Sequence, residues 1–153
     1  MNKPATLLAV PLSLLLGYAS TAWAQPAPTE ADAQAFAKKG VAFFKANGKE
    51  KALAAYSDPK GEFVSGELYL TVWDFNGNQI AHGSNQKLIG KNLLDLKDSD
   101  GKYFVKEFME IAKKGSGWVE YKWTNPVSKK IEPKRVYLEA VGDILVGCGV
   151  YKK

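Results

Sequence analysis

The sequence has 153 residues, the length of one domain, and its 46% apolar and 24% charged residues are the proportions of a globular chain rather than a disordered one. Its formal charge of +5 is spread along the chain with no basic run longer than a pair, which excludes an arm built to grip phosphate backbones. A single cysteine, Cys148, excludes an intrachain disulfide, so the core alone must hold the fold.

Lys3, an apolar run over 7–16 and the small-x-small site Ala22-Trp23-Ala24 follow one another in the order of a secretory signal peptide. Residues 1–24 are therefore expected to be removed on export to the periplasm or the medium. Residues 25–33 are expected to form a flexible N-terminus and 34–153 the folded domain. Thr29 has the chemistry of a helix N-cap, with Glu30 and Asp32 in the first turn. Phe36, Gly40, Phe43 and Phe44 share one face of that helix, and Asn47-Gly48 ends it. A short second helix is expected over 50–56, closed by Ser57-Asp58-Pro59-Lys60-Gly61.

Residues 68–75 and 78–82 have strand composition, and Asn76-Gly77 between them is a hairpin signal. The loop 83–98 carries Leu88, Ile89, Leu93 and Leu94, too apolar to stand in water. Asp98-Ser99-Asp100-Gly101 is expected to start a third helix, with Phe104, Val105, Phe108, Ile111 and Ala112 as its apolar stripe and Gly115 as its stop. Three strands follow, over 118–124, 134–141 and 144–151, the last two joined at Gly142-Asp143. The fold class is α+β.

A two-residue turn at Gly142-Asp143 sets Val141 opposite Ile144. Arg135, Tyr137, Glu139, Val146, Cys148 and Val150 then share one face, and Val136, Leu138, Ala140, Leu145, Gly147 and Gly149 the other. The apolar, glycine-bearing face is expected to receive the N-terminal helix, leaving the mixed face as a pocket wall. In the first hairpin, Thr71, Trp73, Ile80 and His82 are expected on one face and Leu70, Val72 and Ala81 on the other.

Other chemistries fit poorly. His82 is the only histidine and has no cysteine cluster beside it, so it lacks the partners of a metal site. No Gly-x-Ser-x-Gly nucleophile is present, and the acid–base pairs open to an enzyme are His82 with Glu139 or Glu120. Counted as a calcium loop from Asp98, the chain has Tyr103 where glycine is needed and Met109 where glutamate is needed. Basic residues beside aromatics suit a small carboxylate, held by charge-assisted hydrogen bonds and enclosed by rings. A nucleic-acid partner and a catalytic role are not expected. A cystatin-like protein-binding module is the alternative.

Taken together, Asp74-Phe75-Asn76-Gly77 with Ala81-His82-Gly83, Leu88-Ile89-Gly90-Lys91-Asn92, Lys97-Asp98-Ser99-Asp100-Gly101-Lys102-Tyr103-Phe104, the run from Gly115 to Pro126, Pro133-Lys134 with Tyr137, and Val146-Gly147-Cys148-Gly149-Val150-Tyr151 resemble the single Cache domain, type 2. The resemblance implies a PAS-like five-stranded antiparallel sheet with a long N-terminal helix on one face and a helix and loops over the other. It implies an extracytoplasmic sensor that needs no cofactor and binds small ligands, often short carboxylates, on the face away from that helix. Pocket positions carry over onto Tyr121, Trp123 and Tyr137, with His82 and Lys134. Side-chain alternation adds Trp73 and Arg135, and Trp118 completes the candidate set. Alternation puts Lys134 on the helix-facing side, in conflict with the carry-over unless a bulge opens the strand. Family members usually sit between membrane helices and join a chemoreceptor, kinase or cyclase. With no segment after Lys153, this chain is expected to act alone, binding a ligand for a membrane receptor or transporter.

Overall fold

The structure is a computed structural model that describes residues 26–152. The expected signal peptide lies outside the described residues. Helix α1, Glu30–Asn47, opens with a reciprocal cap: the Thr29 hydroxyl accepts from the Asp32 backbone N–H while the Asp32 carboxylate accepts from that of Thr29. The helix thus begins inside the stretch expected to be flexible. At its other end Gly48, with φ of 81°, donates its N–H to Phe44 O, and α2, Lys49–Tyr56, follows at once.

Two short strands, β1 (Val64–Ser65) and β2 (Leu68–Tyr69), form a separate antiparallel ribbon. The main sheet is built from β3 (Thr71–Asp74), β4 (Gln79–His82), β5 (Ser116–Thr124), β6 (Ile131–Val141) and β7 (Ile144–Tyr151), in the order β4-β3-β7-β6-β5 with every pair antiparallel. The expected first strand is therefore split: Tyr69 leaves the ribbon and Thr71 enters the sheet. Gly77, with φ of 82°, makes the β3–β4 turn, where Asp74 Oδ1 accepts the backbone N–H groups of Asn76 and Asn78. A bulge between Val72 and Trp73 sets Gln79 opposite Trp73. It turns Ile80 toward the α1-side core, away from the face predicted for it. The β6–β7 hairpin has the expected register, with Val141 opposite Ile144.

Helix α3, Phe104–Lys114, starts later than Asp98. The Asp98 carboxylate instead fixes the preceding turn, accepting from the backbone N–H groups of Asp100 and Lys102 through Oδ1 and of Lys122 on β5 through Oδ2. Phe104, Val105, Phe108 and Met109 are its buried side chains, and Leu93, Leu94 and Leu96 from the preceding loop join them.

The sheet separates two cores, and the two faces are covered the opposite way to the expectation. Helix α1 lies on Tyr137, Val146, Cys148 and Val150, while α3 and its loop lie on Val136, Leu138 and Leu145. The reason is where the small residues sit. Ala33, Ala37 and Gly40 form the contact face of α1, and a Cβ on Gly40 would stand 2.6 Å from Leu70 Cδ1. The close approach is made by a glycine of the helix, so the sheet glycines were free for another purpose. Burial of a side chain such as Leu70 or Val146 contributes about 1.5–3 kcal/mol, so each face is a substantial apolar layer.

Candidate functional site

Under α3, one rung of the sheet carries Tyr121, Lys134 and Tyr151 side by side on β5, β6 and β7. Tyr69 from the ribbon and His82 from β4 close over the same end. Lys134 is 1% exposed and its stem crosses Gly149, where a Cβ would come within 2.7 Å of Lys134 Cε. This is the use of the sheet glycine: it makes room for a lysine.

Lys134 Nζ donates to Tyr69 Oη at 2.8 Å. The Tyr69 and Tyr151 hydroxyls are 3.0 Å apart, and Tyr151 donates to Thr124 O at 2.9 Å. Tyr151 having spent its proton on that carbonyl, Tyr69 must donate to Tyr151, so the bonds run from Lys134 to Tyr69 to Tyr151 to Thr124 O. The ammonium also lies 4.1 Å and 5.1 Å from the ring centres of Tyr69 and Tyr151. Burial lowers the pKa of Lys134, while the oxygens of Tyr121, Tyr69 and Tyr151 raise it; the balance lies well above the ordinary lysine value, so Lys134 is a cation at neutral pH. Burial pushes Tyr121 up to about 12 and also raises Tyr151, so these phenols keep their protons. No carboxylate of the described residues forms a salt bridge with Lys134.

His82 Nδ1 accepts from the backbone N–H groups of Ser84 and Asn85 at 3.2 Å and 3.0 Å. Burial, then the nearby Lys134 charge, lowers its pKa to about 3, so the ring is neutral. With Nδ1 accepting, Nε2 carries the proton and is a donor. The ring packs against Tyr69 at 4.9 Å. The Gln79 amide donates to Thr71 Oγ1, Val72 O and Ala81 O, fixing the bulged strand that carries His82.

The eight sequence candidates divide by face. Lys134, Tyr121, Trp123, His82 and Trp73 are on the α3 side. Tyr121 stacks on Phe104 at 4.4 Å, and Trp123 meets the same ring edge-on. Trp73 pairs with Leu145, far along β7 from Tyr151, and packs on Phe108; its indole N–H is buried with no hydrogen-bond partner. Trp118, Arg135 and Tyr137 are on the α1 side. There Arg135 donates to both oxygens of Glu30 at 2.7 and 2.6 Å and lies 5.0 Å from the Trp118 ring. Tyr137 donates to Glu139, which pairs with Lys38 of α1. Alternation along a regular strand forbids Lys134 and Arg135, or Tyr121 and Trp118, from sharing a pocket. β6 pairs without a break from Ile131 to Val141, so no bulge places Lys134 beneath α3. The conflict is resolved by the helices: α3 covers the face of Lys134, and α1 covers the face of Arg135.

Tyr69 and Tyr151 escaped the sequence reading. Tyr151 was within reach, because the hairpin register that sets Val141 against Ile144 also sets Lys134 against Tyr151. Tyr69 gave no such signal, since its place depends on the kink between ribbon and sheet. The sheet also separates His82 from Glu139 and Glu120, the carboxylates a catalytic pair would need. Among the described residues no cluster of His, Cys, Asp and Glu could hold a metal. Burial pushes the Cys148 thiol up to about 12, which makes it inert. A larger open groove, about 930 Å3, lies between the start of α1, the β1–β2 ribbon and Val127, but no residue of the Lys134 cluster lines it.

A five-stranded antiparallel sheet between a long N-terminal helix and a shorter one matches a known family. The model of the single Cache domain 2 family matches residues 19–153. The chain belongs to that family. Cache domains are extracytoplasmic sensor domains, and no described helix of this one is long and apolar enough to cross a membrane. It superposes on a methyl-accepting chemotaxis protein of Vibrio parahaemolyticus with a TM-score of 0.70 and 26% identity, over 79% of this chain and 86% of that one. A Cache chemosensory domain described in terms of carboxylic acid recognition superposes with a TM-score of 0.61 and 24% identity, over 78% and 86% of the two chains. Over 85 residues the sequence is 36% identical to the sensor histidine kinase MctS of Rhizobium johnstonii. That match takes in 54% of this chain and 18% of the kinase, so this Cache domain spans a small part of its curated relative.

Proposed function

We propose that this Cache domain is a non-catalytic sensor module that binds a short organic carboxylate at Lys134, on the sheet face beneath α3. After export and removal of the leader it would present the acid to, or regulate, a membrane receptor or transporter. The observation that carries this is a buried ammonium whose close partners are phenols and a neutral histidine. A buried cation is held most favourably by an anion that also satisfies its hydrogen bonds. The carboxylate takes the place of Tyr69 Oη on Nζ, the Nε2–H of His82 supplies a second donor on the same wall, and Tyr121, Trp123 and Phe104 enclose the carbon body. The solved Cache domain described for carboxylic acid recognition supports the ligand class, and the sensor kinase relative supports the signalling role.

The test is thermal unfolding of the exported protein with acetate, propionate, pyruvate, butyrate and succinate. A ligand at 100 times its Kd stabilises by about 2.7 kcal/mol, an upward shift of several degrees for a domain of this size. At least one acid is expected to produce it, and Lys134→Met is expected to remove it. A midpoint unmoved by all five acids rejects the proposal.

A further inference from the structure

Tyr69 belongs to two places at once. Its hydroxyl accepts from Lys134 Nζ at 2.8 Å inside the site, and its backbone ends strand β2 of the β1–β2 ribbon. Ser65, Gly66, Glu67 and Leu68 of that ribbon, with Phe36 of α1 and Val127, line the open groove of about 930 Å3. We propose that the ribbon is the moving part of the sensor: an acid bound to Lys134 dislodges Tyr69, loosens the ribbon and so reshapes the groove. The inference rests on Lys134 being the carboxylate's partner, in the place that the Tyr69 hydroxyl otherwise holds.

Tyr69 joins the site to the ribbon without slack. It is 1% exposed, and its ring packs on His82 at 4.9 Å. Its hydroxyl bridges Lys134 and Tyr151, whose own proton goes to Thr124 O. At its backbone the chain runs close against the end of β4: a Cβ on Gly83 would stand 3.1 Å from Tyr69 Cβ and 2.8 Å from Val64 Cγ2. Packed interiors transmit such displacements rather than absorb them. A ring held between His82 and this contact cannot give up its place by turning alone, so the strand that carries it must shift.

The ribbon is lightly held. It has two residue pairs, Val64 with Tyr69 and Ser65 with Leu68, and it stands apart from the main sheet. It turns at Gly66, at a φ of 59°, where a Cβ would meet nothing within 4 Å. At its tip Glu67 accepts from the Asn125 amide at 2.9 Å, a tie to the chain that follows β5. Few pairs and an open turn set a segment at the low end of local stability. The strands under Lys134 are different: β6 pairs along its length with β5 and with β7. One binding event therefore stiffens the sheet and loosens the ribbon, and these opposite responses are the signature of the device.

The first experiment is hydrogen exchange, read by mass spectrometry, on the native exported protein with and without the acid that stabilises it. With the acid, the amides of residues 64–69 are expected to exchange about fivefold faster, while those of β6 and β7 slow. A ligand that only stabilises the fold slows both, so slower or unchanged exchange in the ribbon overturns the proposal. The second experiment is calorimetric titration of Gly66→Ala, which keeps the charge, touches no neighbour and strains only the ribbon turn. Coupling is reciprocal, so a ribbon already loosened should bind the acid about fivefold more tightly. Gly48→Ala strains the α1–α2 junction instead, at a φ of 81° and again with nothing within 4 Å, and should keep the native Kd. Equal affinities for the two variants also overturn the coupling. The two levels fail separately: if Lys134→Met loses the acid while the ribbon of the native protein slows with it, the coupling alone is wrong. If none of the acids binds the native protein, the Lys134 site is wrong and the coupling goes with it.

Discussion

Lys134 and Arg135 are neighbours on β6, yet alternation sends them to opposite faces of one sheet and into opposite electrostatic circumstances. Arg135 meets Glu30 from α1 and Glu120 from β5, so its charge is balanced within the protein. Lys134 meets tyrosines and is left a buried cation without an acid. The glycines differ in the same way. Gly40 lets α1 settle on the sheet, whereas Gly149 lets a lysine lie across it. One face balances its cation with carboxylates of the protein, and the other holds its cation among phenols.

The glycines offer the largest way to break that contrast. Gly149→Ala puts a methyl 2.7 Å from both Lys134 Cε and Arg135 O, and Gly40→Ala puts one 2.6 Å from Leu70 Cδ1. Overpacking of this kind costs about 1–3 kcal/mol, so both variants should lower the urea midpoint. Acid affinity should separate them: Gly149→Ala displaces Lys134 and should lose it at least tenfold, while Gly40→Ala should keep it. Equal acid affinity in the two variants would contradict the roles given to the two glycines.

A smaller effect comes from pH. His82 titrates at about 3 when folded against an ordinary value of 6.5. Between those values the unfolded chain binds a proton at His82 that the folded chain does not, so stability rises with pH through this window and falls as the solution is acidified. It is fully present above 6.5 and is lost toward 3, with a limiting slope of about 1.4 kcal/mol per pH unit. His82 is the only histidine, so His82→Gln should flatten the thermal midpoint between pH 6 and 5. The same slope in both proteins would show that the ring is charged in the fold.

The smallest effect belongs to Arg135. Its side chain is 33% exposed and that of Glu30 45%, so the pair is screened, and Arg135→Met should cost no more than about 1 kcal/mol in urea unfolding.

Much of the architecture was legible in the sequence. Thr29, Gly48, Asn76-Gly77, Gly115 and Gly142-Asp143 mark ends and turns by local chemistry, and the family resemblance supplied the sheet. Alternation also sorted β6 and β7 correctly into two faces. It could not say which helix covers which face, because alternation fixes sides relative to one another and the covering helix is a tertiary fact. The rule that an apolar, glycine-bearing face receives the long helix misled, since Gly40, Ala33 and Ala37 already gave α1 its close approach. Through that inversion Arg135, Tyr137 and Trp118, which lie on the α1 side, were grouped with residues of the α3 side, where the resemblance alone had put Lys134. Tyr69 stayed hidden because a ribbon of two-residue strands carries no periodic signal.

The most direct test of the contrast is a calorimetric titration of Lys134→Met and Arg135→Met side by side with the acid that stabilises the native protein. The predicted result is no binding heat for Lys134→Met and a native Kd for Arg135→Met, with both variants folded by circular dichroism. A native Kd in Lys134→Met, or its loss in Arg135→Met, would place the anion on the α1 face and contradict the account.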